Sequence, residues 1–571
     1  GQAEFAGRSF SRIAVDPSNT SVLYASITAA GGFPALSAAR GHPGARGPLG
    51  VFKSSDAGKT WTQLGKGIPT DVSATDVAVD PSNPKIVYAA FGRIFGHTRN
   101  GVYKSIDAGQ SFGKLAGGLP QSSVGRITLA LAPSRPSRIY ASLVQPATST
   151  GGGARTLGVY RSDNGGTSWV SVYPGSYQVT YGWYLCTSIV HPSNPDMVFV
   201  GGLSLRRSTN AGLSWWTVTP PHVDLHALAY DAAGRLLAGD DGGVHRSTNN
   251  GFGWTSLNNM GLIQFYAGIS LHPSNATMIY GGTQDNGTNL RVSGTSWNRI
   301  FGGDGGYTAI DSAASRVFVE YQGTGNLYRS INNSSFRRSG FGISGRNCFL
   351  PPFQMDASNQ LRMIYGTERV FQSLNGGSSW SAISPDLTGG GNAAIRGLAI
   401  SPSDGRYIYV ITNDGRVQVT TNGGTSWNLR RSGVPGWFRV TNPFAIDPAD
   451  PKRAWLAVGW FGVDQVLYTG DAGSTWKSLD GDLPDLPVHS IGLLTGQGRP
   501  YVLFAGTETG VWRSTDRGAH WEYYGKGLPN APVIDLCVDE KRGRIVVATQ
   551  GRGAWETGIL PRAELDTRAT K

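Results

Sequence analysis

An eight-residue pattern, Ser/Thr-x-Asp/Asn-x-Gly-x-x-Trp/Phe, occurs nine times in this chain and limits the folds that are open to it. We call the pattern the box, and its copies are Ser54–Trp61, Ser105–Phe112, Ser162–Trp169, Ser208–Trp215, Ser247–Trp254, Ser373–Trp380, Thr420–Trp427, Thr469–Trp476 and Ser514–Trp521. Degenerate copies lie at Ser293–Trp297 and Ser330–Phe336. Most copies follow one another after about 40 to 55 residues, and such a period indicates a solenoid, a propeller or an array.

The residue types of the box predict a structural role. Asp or Asn accepts hydrogen bonds from nearby backbone N–H groups and closes a tight turn. Gly takes the positive φ that the turn needs, and Trp packs a large apolar surface on the neighbouring sheet. We therefore expect the box carboxylates to hold hairpins rather than to carry chemistry.

A second element precedes each box: an apolar strand A, a turn of the Asp-Pro-Ser-Asn-Pro kind, and an apolar strand B, as in Ile13–Ser26, Val77–Ala90 and Leu129–Ser142. A loop, strand C, the box and strand D complete the repeat, of which the chain has twelve. A four-stranded antiparallel meander repeated in this way is the blade of a β-propeller. The sequence thus predicts an all-β protein built from about twelve four-stranded blades.

Twelve blades favour two fused propellers, and one very large ring of ten or more blades is the alternative. Residues 1–260 would hold repeats one to five, closed by C-terminal strands, and residues 261–560 would hold repeats six to twelve, followed by a tail at 561–571. The position of the crossover stays open. The last repeat lacks a box, and Glu4–Phe10 could supply its fourth strand.

Composition excludes several classes of function. The net charge of +12 comes from 50 basic and 38 acidic residues that are scattered along the chain, which argues against nucleic-acid binding. No apolar run is long enough to span a membrane. Cys186, Cys348 and Cys537 lack metal-ligand spacing, so we expect buried thiols and no cofactor. The chain begins without a signal peptide, as a mature secreted protein would, and we expect a secreted, periplasmic or cell-surface protein.

In a blade, B–C loops and D–A crossovers lie on one face, here called the loop face, and A–B turns and boxes lie on the other, the turn face. The unusual polar residues fall on the loop face. We predict Asp241, Asp285 and Asp304 as catalytic carboxylates, with Asp241 or Asp285 as the acid and Asp304 as the base or water-positioning group. The predicted substrate-binding residues are His222, Asp224, His226, Asp240, Gln284, Asn286, Glu320, Trp183, Trp437 and Trp460.

Structural explanations compete with each of these assignments. Asp in a Gly-rich turn is often only a turn residue. The alternation in His222-Val223-Asp224-Leu225-His226 puts three polar side chains on one side of an extended segment. That set could ligate a metal ion, although a hydrogen-bonded structural network is the simpler interpretation and no metal is predicted.

The box resembles the bacterial neuraminidase repeat, which occurs in sialidases, in the tandem-propeller xyloglucanases of glycoside hydrolase family 74 and in sortilin-type propellers. The Phe/Tyr-Arg-Ile-Pro motif of sialidases is absent. Asp240-Asp241-Gly242-Gly243 after a strand B is similar to a xyloglucanase sequence. That resemblance implies a glucanase with one catalytic Asp from each propeller and inversion at the anomeric carbon, in a family with more blades than the twelve repeats counted here.

Two hypotheses of function follow. The first is a secreted bacterial glycoside hydrolase that acts on a polysaccharide or oligosaccharide through paired carboxylates. The second is a non-catalytic sortilin-like or assembly-type propeller that binds protein or peptide. An enzyme should show a deep cleft with paired carboxylates and aromatic rings, whereas a binding module should show a shallow or filled channel.

Overall fold

The computed structural model describes residues 5, 8–29, 47–148, 153–257, 261–332, 334–435, 441–495 and 501–559. The fold is all-β, as predicted: twelve antiparallel meander sheets, eleven with four strands and the last with three. A short 3-10 turn, Glu540–Arg542, interrupts the last sheet. Among the described residues, no helix has the length and apolarity needed to cross a membrane.

The chain divides into two compact units, Gly1–Met260 and Gly261–Lys571. Unit 1 holds five sheets. Their strands are β1 (Arg8–Val15), β2 (Leu23–Ala29), β3 (Gly50–Ser54), β4 (Thr62–Gln63); β5 (Ala74–Val79), β6 (Val87–Phe91), β7 (Gly101–Ser105), β8 (Gly113–Lys114); β9 (Ile127–Leu131), β10 (Ile139–Val144), β11 (Thr156–Ser162), β12 (Val170–Pro174); β13 (Thr187–His191), β14 (Asn194–Gly201), β15 (Leu205–Ser208), β16 (Trp216–Val218); β17 (Leu225–Tyr230), β18 (Leu236–Asp240), β19 (Gly243–Ser247) and β20 (Thr255–Ser256).

Unit 2 holds seven sheets. Their strands are β21 (Ser270–Leu271), β22 (Ile279–Thr283), β23 (Gly287–Ser293), β24 (Ser296–Phe301); β25 (Gly305–Ile310), β26 (Arg316–Tyr321), β27 (Leu327–Ile331), β28 (Arg337–Arg338); β29 (Phe353–Met355), β30 (Met363–Gly366), β31 (Val370–Ser373), β32 (Ser381–Ala382); β33 (Ile395–Ile400), β34 (Ile408–Thr412), β35 (Val417–Thr420), β36 (Asn428–Arg431); β37 (Phe444–Ile446), β38 (Ala454–Ala457), β39 (Val466–Thr469), β40 (Lys477–Ser478); β41 (Val488–Leu494), β42 (Val502–Thr507), β43 (Gly510–Ser514), β44 (Glu522–Tyr523); β45 (Val533–Asp539), β46 (Arg544–Thr549) and β47 (Ala554–Gly558).

The box closes the turn between strands C and D through its own side chains. In the first copy, Ser54 Oγ accepts the N–H of Gly58 at 2.9 Å, and Asp56 Oδ1 accepts the N–H of Thr60 at 2.9 Å. The indole N–H of Trp61 returns to the carbonyl of Gly58 at 3.0 Å. Each bond satisfies a polar group that the turn would otherwise leave without a partner, so the geometry is that of a hairpin brace.

Apolar side chains fill the space between successive sheets. In unit 2 every neighbouring pair shares such a cluster, and the ring closes because the last sheet packs on the first through Val546, Ala548, Phe265 and Ile279. The N–H of Phe265 also donates to the carbonyl of Thr549 at 3.1 Å. Unit 2 is therefore a closed ring of seven blades.

The terminal strands differ from the sequence prediction. Arg8–Phe10 belong to β1, where Arg8 pairs with Ala29, and do not enter the last sheet. The last sheet, β45 to β47, lies in unit 2 and closes that ring, not unit 1. Residues 8–10 stay in the first sheet because β1 pairs with β2 along its whole length.

Candidate functional site

In unit 1, the predicted loop-face residues gather at the fifth sheet. His226 lies on β17, and Asp241 lies between β18 and β19. His226 Nε2 is 2.6 Å from Asp241 Oδ1, where an imidazole N–H donates to the carboxylate. The Tyr184 ring stands edge-on to His226 at 5.0 Å and contacts Trp183 at 5.3 Å. The partly exposed Asp241 carboxylate is thus connected through His226 to the rings of Tyr184 and Trp183.

A second carboxylate approaches this group. A carboxylate oxygen of Asp224 lies within 4.8 Å of one of Asp241. Asp224 has a φ of +63°, a conformation that non-glycine residues rarely adopt and that is common at functional sites. A Cβ atom on Gly242 would lie 2.8 Å from the His222 ring, so only glycine lets this loop pack against His222.

Asp240 has a supporting role. Its side chain is buried, and Oδ1 accepts the N–H of Gly242 at 3.0 Å and lies 3.2 Å from His245 Nε2. Burial raises the pKa of Asp240, although nearby His245 and His222 act in the opposite direction. The prediction that Asp240 contacts substrate is not supported by this burial; its carboxyl instead holds the loop that carries Asp241.

In unit 2, Asp285 and Asp304 come together at the first and second sheets. Asp304 Oδ1 accepts the N–H of Asp285 at 2.9 Å, and the N–H of Asp304 donates to Gln322 Oε1 at 3.0 Å. Asp304 is 8% exposed, whereas Asp285 is half-buried and has a φ of +56°. Asp285 is therefore the more accessible of the two, although its Oδ2 is buried, and Asp304 braces its backbone.

The amides predicted to bind substrate shape the Asp285 loop. The N–H of Gln284 donates to the carbonyl of Gln264 at 2.9 Å, and the two side-chain amides are hydrogen-bonded to each other. Asn286 Nδ2 donates to the carbonyl of Gln284 at 2.9 Å. Both predicted residues are half-buried, so they combine loop support with partial exposure.

Glu320 is fully buried, in contrast to its predicted role in substrate binding. Its Oε1 accepts the N–H of Tyr307 at 3.1 Å. Burial raises its pKa well above the ordinary range. A β-strand puts alternate side chains on opposite faces, and the position of Glu320 on β26 turns it into the core.

The centre of unit 2 is filled at this level. The Tyr307 hydroxyl donates to the carbonyl of Thr441 at 2.7 Å, across from the second sheet to the segment that precedes the fifth. Ala267, Leu350 and Ile534 belong to the same buried cluster. A ligand of unit 2 would therefore approach the Asp285 loop from the loop face and not through the axis.

Two of the three predicted tryptophans lie among the described residues, one in each unit. Trp183 joins the group at Asp241 through Tyr184. Trp460 follows β38 in the fifth sheet of unit 2 and packs on the cluster between the fourth and fifth sheets, away from the first-sheet loop of Asp285. Trp437 lies outside the described residues.

A cavity of about 830 Å³ in unit 1 contains residues that the sequence did not single out. Its polar and aromatic lining includes Asp71, Arg93, His97, Arg126, Trp183 and Tyr184. Arg126 donates to the carbonyls of Trp183 and Tyr184 and holds their loop at the cavity wall. Asp71 and Arg126 lie on D–A crossovers, so the rule that sorts loops by face could have found them.

Comparison with known proteins points to xyloglucanases. No protein-family model matches the chain. A xyloglucanase of Paenibacillus sp is 29% identical over 154 residues, 24% of this chain and 15% of that protein. A xyloglucanase of Hypocrea jecorina is 22% identical over 548 residues, 88% of this chain and 58% of that protein. The chain thus spans at most 58% of the length of these two relatives.

Among solved structures, the GH74 enzyme of Niastella koreensis matches with a TM-score of 0.57 and 19% identity, over 97% of this chain and 91% of that one. At this identity the likeness concerns the fold. The resemblance that the Asp240–Gly243 segment suggested is confirmed: the chain is similar in sequence to xyloglucanases and in fold to a GH74 enzyme.

Proposed function

We propose that this chain is a glycoside hydrolase that binds and cleaves a polysaccharide of the xyloglucan class. The observation that carries the proposal is the Asp241 carboxylate, partly exposed, hydrogen-bonded to His226 and placed beside Tyr184. Its relatives are named xyloglucanases. Since a polymer of this kind lies outside cells, the proposal implies a secreted or surface protein.

The chemistry needs one carboxyl group that gives a proton to the leaving oxygen and one carboxylate that assists attack on the sugar. In unit 1, His226 donates a hydrogen bond to Asp241 and so orients its carboxyl group. In unit 2, Asp285 is the presented carboxyl, and Asp304 positions it through the backbone N–H. Each unit then offers one carboxyl group for chemistry, each with its own supporting residue.

Aromatic rings give the proposal a place for the sugar. Tyr184 is 51% exposed and stands next to the His226–Asp241 pair. An exposed ring offers an apolar face on which a pyranose ring can stack. Tyr184→Ala should therefore raise KM for xyloglucan oligosaccharides with a smaller effect on kcat.

Stereochemistry separates two versions of the mechanism. Oxygens of Asp224 and Asp241 lie within 4.8 Å of each other, closer than the roughly 6.5–9.5 Å of inverting enzymes and near the roughly 5–5.5 Å of retaining ones. If these two groups act as the pair, the anomeric configuration is retained. The family resemblance implies inversion. ¹H NMR of the first product formed distinguishes the two outcomes.

The test is release of reducing ends from xyloglucan and from a panel of other glucans. Asp241→Asn and Asp285→Asn should each lower kcat by about 10²-fold or more, the scale for losing a positioned acid or base. Asp304→Asn should act more weakly, because the amide oxygen can still accept the N–H of Asp285. The matched control is Asp107→Asn, since Asn fills the same box position in Asn164. No hydrolysis by the wild type, or full activity in both Asp241→Asn and Asp285→Asn, would contradict the proposal.

One observation favours a second candidate, a propeller that binds without hydrolysing. The centre of unit 2 is filled by Tyr307 and its apolar neighbours, as expected for a binding module. Affinity electrophoresis in xyloglucan gels tests it: retarded migration of wild-type protein that releases no reducing ends supports this candidate.

A further inference from the structure

Several repeats of this chain share an inter-blade contact on the turn face. A basic residue of strand C donates to the carbonyl of the fourth box residue in the next blade. Lys53 Nζ reaches the carbonyl of Ala108 at 2.9 Å, and Lys104 Nζ reaches that of Gly165 at 2.8 Å. Each lysine also lies over a tyrosine of strand B that pairs with it, as Lys53 does with Tyr24. This contact defines a regular blade.

The fifth sheet of unit 2 lacks the basic residue of strand C, as do the third and fourth sheets, which carry Gln372 and Val419 at that position. Trp455 of β38 pairs with Tyr468 of β39, so an aromatic residue replaces the basic one. The cation comes instead from Lys477 of β40, whose Nζ lies 5.2 Å from the centre of the Tyr468 ring. Aromatic side chains therefore occupy the place where, in the other blades described above, a basic residue of strand C donates to the carbonyl of the next box.

The next box departs at the facing position. Arg517 is its fourth residue and has a φ of +67°. The other eight boxes carry small residues there: Ala57, Ala108, Gly165, Ala211, Asn250, Gly376, Gly423 and Ala472. Arg517 is therefore exceptional in the length and charge of its side chain and not in its backbone, since Ala57, Ala108, Ala211 and Ala472 have a similar left-handed φ.

A cavity of about 200 Å³ lies between these two departures. Trp455, Tyr468, Lys477, Arg453, Tyr501 and Arg517 line it. Trp455 is 2% exposed, and its buried Nε1 has no hydrogen-bond acceptor among the described residues. Buried donors nearly always have a partner in native structures, so the indole N–H indicates a missing acceptor.

The charges around the cavity are unevenly matched. Arg453 Nε lies 3.2 Å from Asp450, and its guanidinium donates to the Tyr501 hydroxyl at 3.1 Å. Within the described part of the chain, neither Lys477 nor Arg517 forms an ion pair with a carboxylate. Lys477 and Arg517 are exposed residues that line this small cavity together with the buried N–H donor of Trp455.

We propose that this cavity is an anion site that binds a small oxyanion, either inorganic sulfate or phosphate or the carboxylate of a sugar acid. Lys477 and Arg517 supply the charge, and Trp455 donates a hydrogen bond to one oxygen. The site lies on the turn face of unit 2, whereas the Asp285 loop lies on its loop face. It is thus separate from the hydrolase site proposed above and does not depend on it.

Isothermal titration at low ionic strength tests the proposal with four probes: sulfate, phosphate, glucuronate and, as a neutral control, glucose. We expect the wild-type protein to bind at least one of the three anions and not glucose, and added NaCl should weaken binding. Preference for the inorganic ions assigns the site to free anions, and preference for glucuronate assigns it to sugar acids.

Two variants locate the site. Arg517→Ala introduces the residue that four other boxes carry, and Trp455→Phe keeps a ring but removes the N–H. Each should raise the dissociation constant about tenfold, the scale for a hydrogen bond to a charged group. Arg406→Ala, which removes an exposed arginine paired with Asp404 elsewhere in unit 2, is the charge-matched control and should leave it unchanged. No anion binding, or wild-type binding by both site variants, would overturn the proposal.

Discussion

Box residues act chiefly through hydrogen-bond geometry, which a carboxylate and an amide both provide. Asp107 Oδ1 accepts the N–H of Ser111 at 2.9 Å, and Asn164 Oδ1 accepts the N–H of Ser168 at the same distance. A carboxylate and an amide therefore do the same work in different blades. A catalytic acid or base could not be exchanged in this way, because an amide does not give or take a proton near neutral pH.

This equivalence predicts that Asp107→Asn keeps the thermal midpoint of unfolding near the wild-type value, whereas Asp107→Ala lowers it by several degrees. Alanine leaves the Ser111 N–H without its acceptor. The hydrogen bond from Ser111, followed by that from Ser105, lowers the pKa of Asp107 to about 2. The stabilisation by the ionised form is thus present above pH ~3.8 and is lost as pH falls through about 2.

Differential scanning calorimetry at pH 7 and pH 3 checks this prediction. If the thermal midpoint falls equally in the alanine and asparagine variants at pH 7, an amide cannot replace the carboxylate at position 107, and the prediction is wrong. The asparagine variant should also be less sensitive to acid than the wild type at this position.

The sequence located the acidic residues of the loop face but not their exposure. Asp240 and Asp241 are neighbours, yet the first is buried against His245 and the second is presented beside His226. The same holds for Glu320, which points into the core. Burial depends on which side of a strand a residue occupies and on what packs over it, and single-sequence patterns do not resolve either at strand ends.

At the scale of strands and sheets, the repeat predicted far more. The box and the Asx-Pro turn mark both hairpins of each blade, so the strand order within a sheet followed from their spacing. The terminal strands could not be derived in this way, because the last repeat has no box and gives no sign of what lies beside it. The sequence analysis also did not identify Asp76 and Asp535. Each lies next to a β-bulge and directly precedes a stretch of apolar residues in its strand.

The box tryptophan is the main apolar link between a hairpin and the adjacent blade. Trp380 is 6% exposed, packs 6.0 Å from the Tyr365 ring, and donates its indole N–H to the carbonyl of Ser339 at 2.7 Å. Trp380→Ala should lower the free energy of unfolding by about 3–5 kcal/mol, the usual cost of truncating a buried tryptophan. Urea denaturation followed by circular dichroism measures the loss.

Trp380→Phe is the matched variant, because Phe112 naturally occupies this position in another box and is 8% exposed there. We expect the phenylalanine variant to lose clearly less stability than the alanine variant. If both lose the same amount, the indole N–H and not the apolar surface holds the blades together.

At the scale of the whole ring, one buried carboxyl group joins the last blade of unit 2 to the first. Asp535 Oδ2 accepts the N–H groups of Gly268 at 2.7 Å and Ile269 at 3.0 Å. In unit 1, Asp76 Oδ2 accepts the N–H of Leu129 in the following sheet at 2.8 Å. A buried carboxyl group therefore links two successive blades in unit 1 and closes the ring in unit 2.

This closure predicts a pH dependence of stability. Burial raises the pKa of Asp535 to about 6, even though the hydrogen bonds from Ile269, Gly268 and Asn442 lower it. Because the folded pKa lies above the unfolded value of about 3.8, the folded state holds the proton more tightly. The contribution of this group to stability is therefore complete below pH ~4 and is lost as pH rises through about 6, by about 3 kcal/mol in all.

Asp535→Asn removes the titrating carboxyl group. Comparison of the variant with the wild type therefore isolates the contribution of Asp535 to the pH dependence of stability. The variant is expected to be less stable than the wild type at pH 4.5, because an amide cannot accept every N–H that the carboxyl group accepts. The difference in the free energy of unfolding between wild type and variant should shrink between pH 4.5 and pH 7.5. All other titrating groups are the same in both proteins, so their effects cancel in this difference. Urea unfolding at pH 4.5, 6 and 7.5 measures this difference, and a constant value across the three would show that Asp535 does not change its charge in the folded ring.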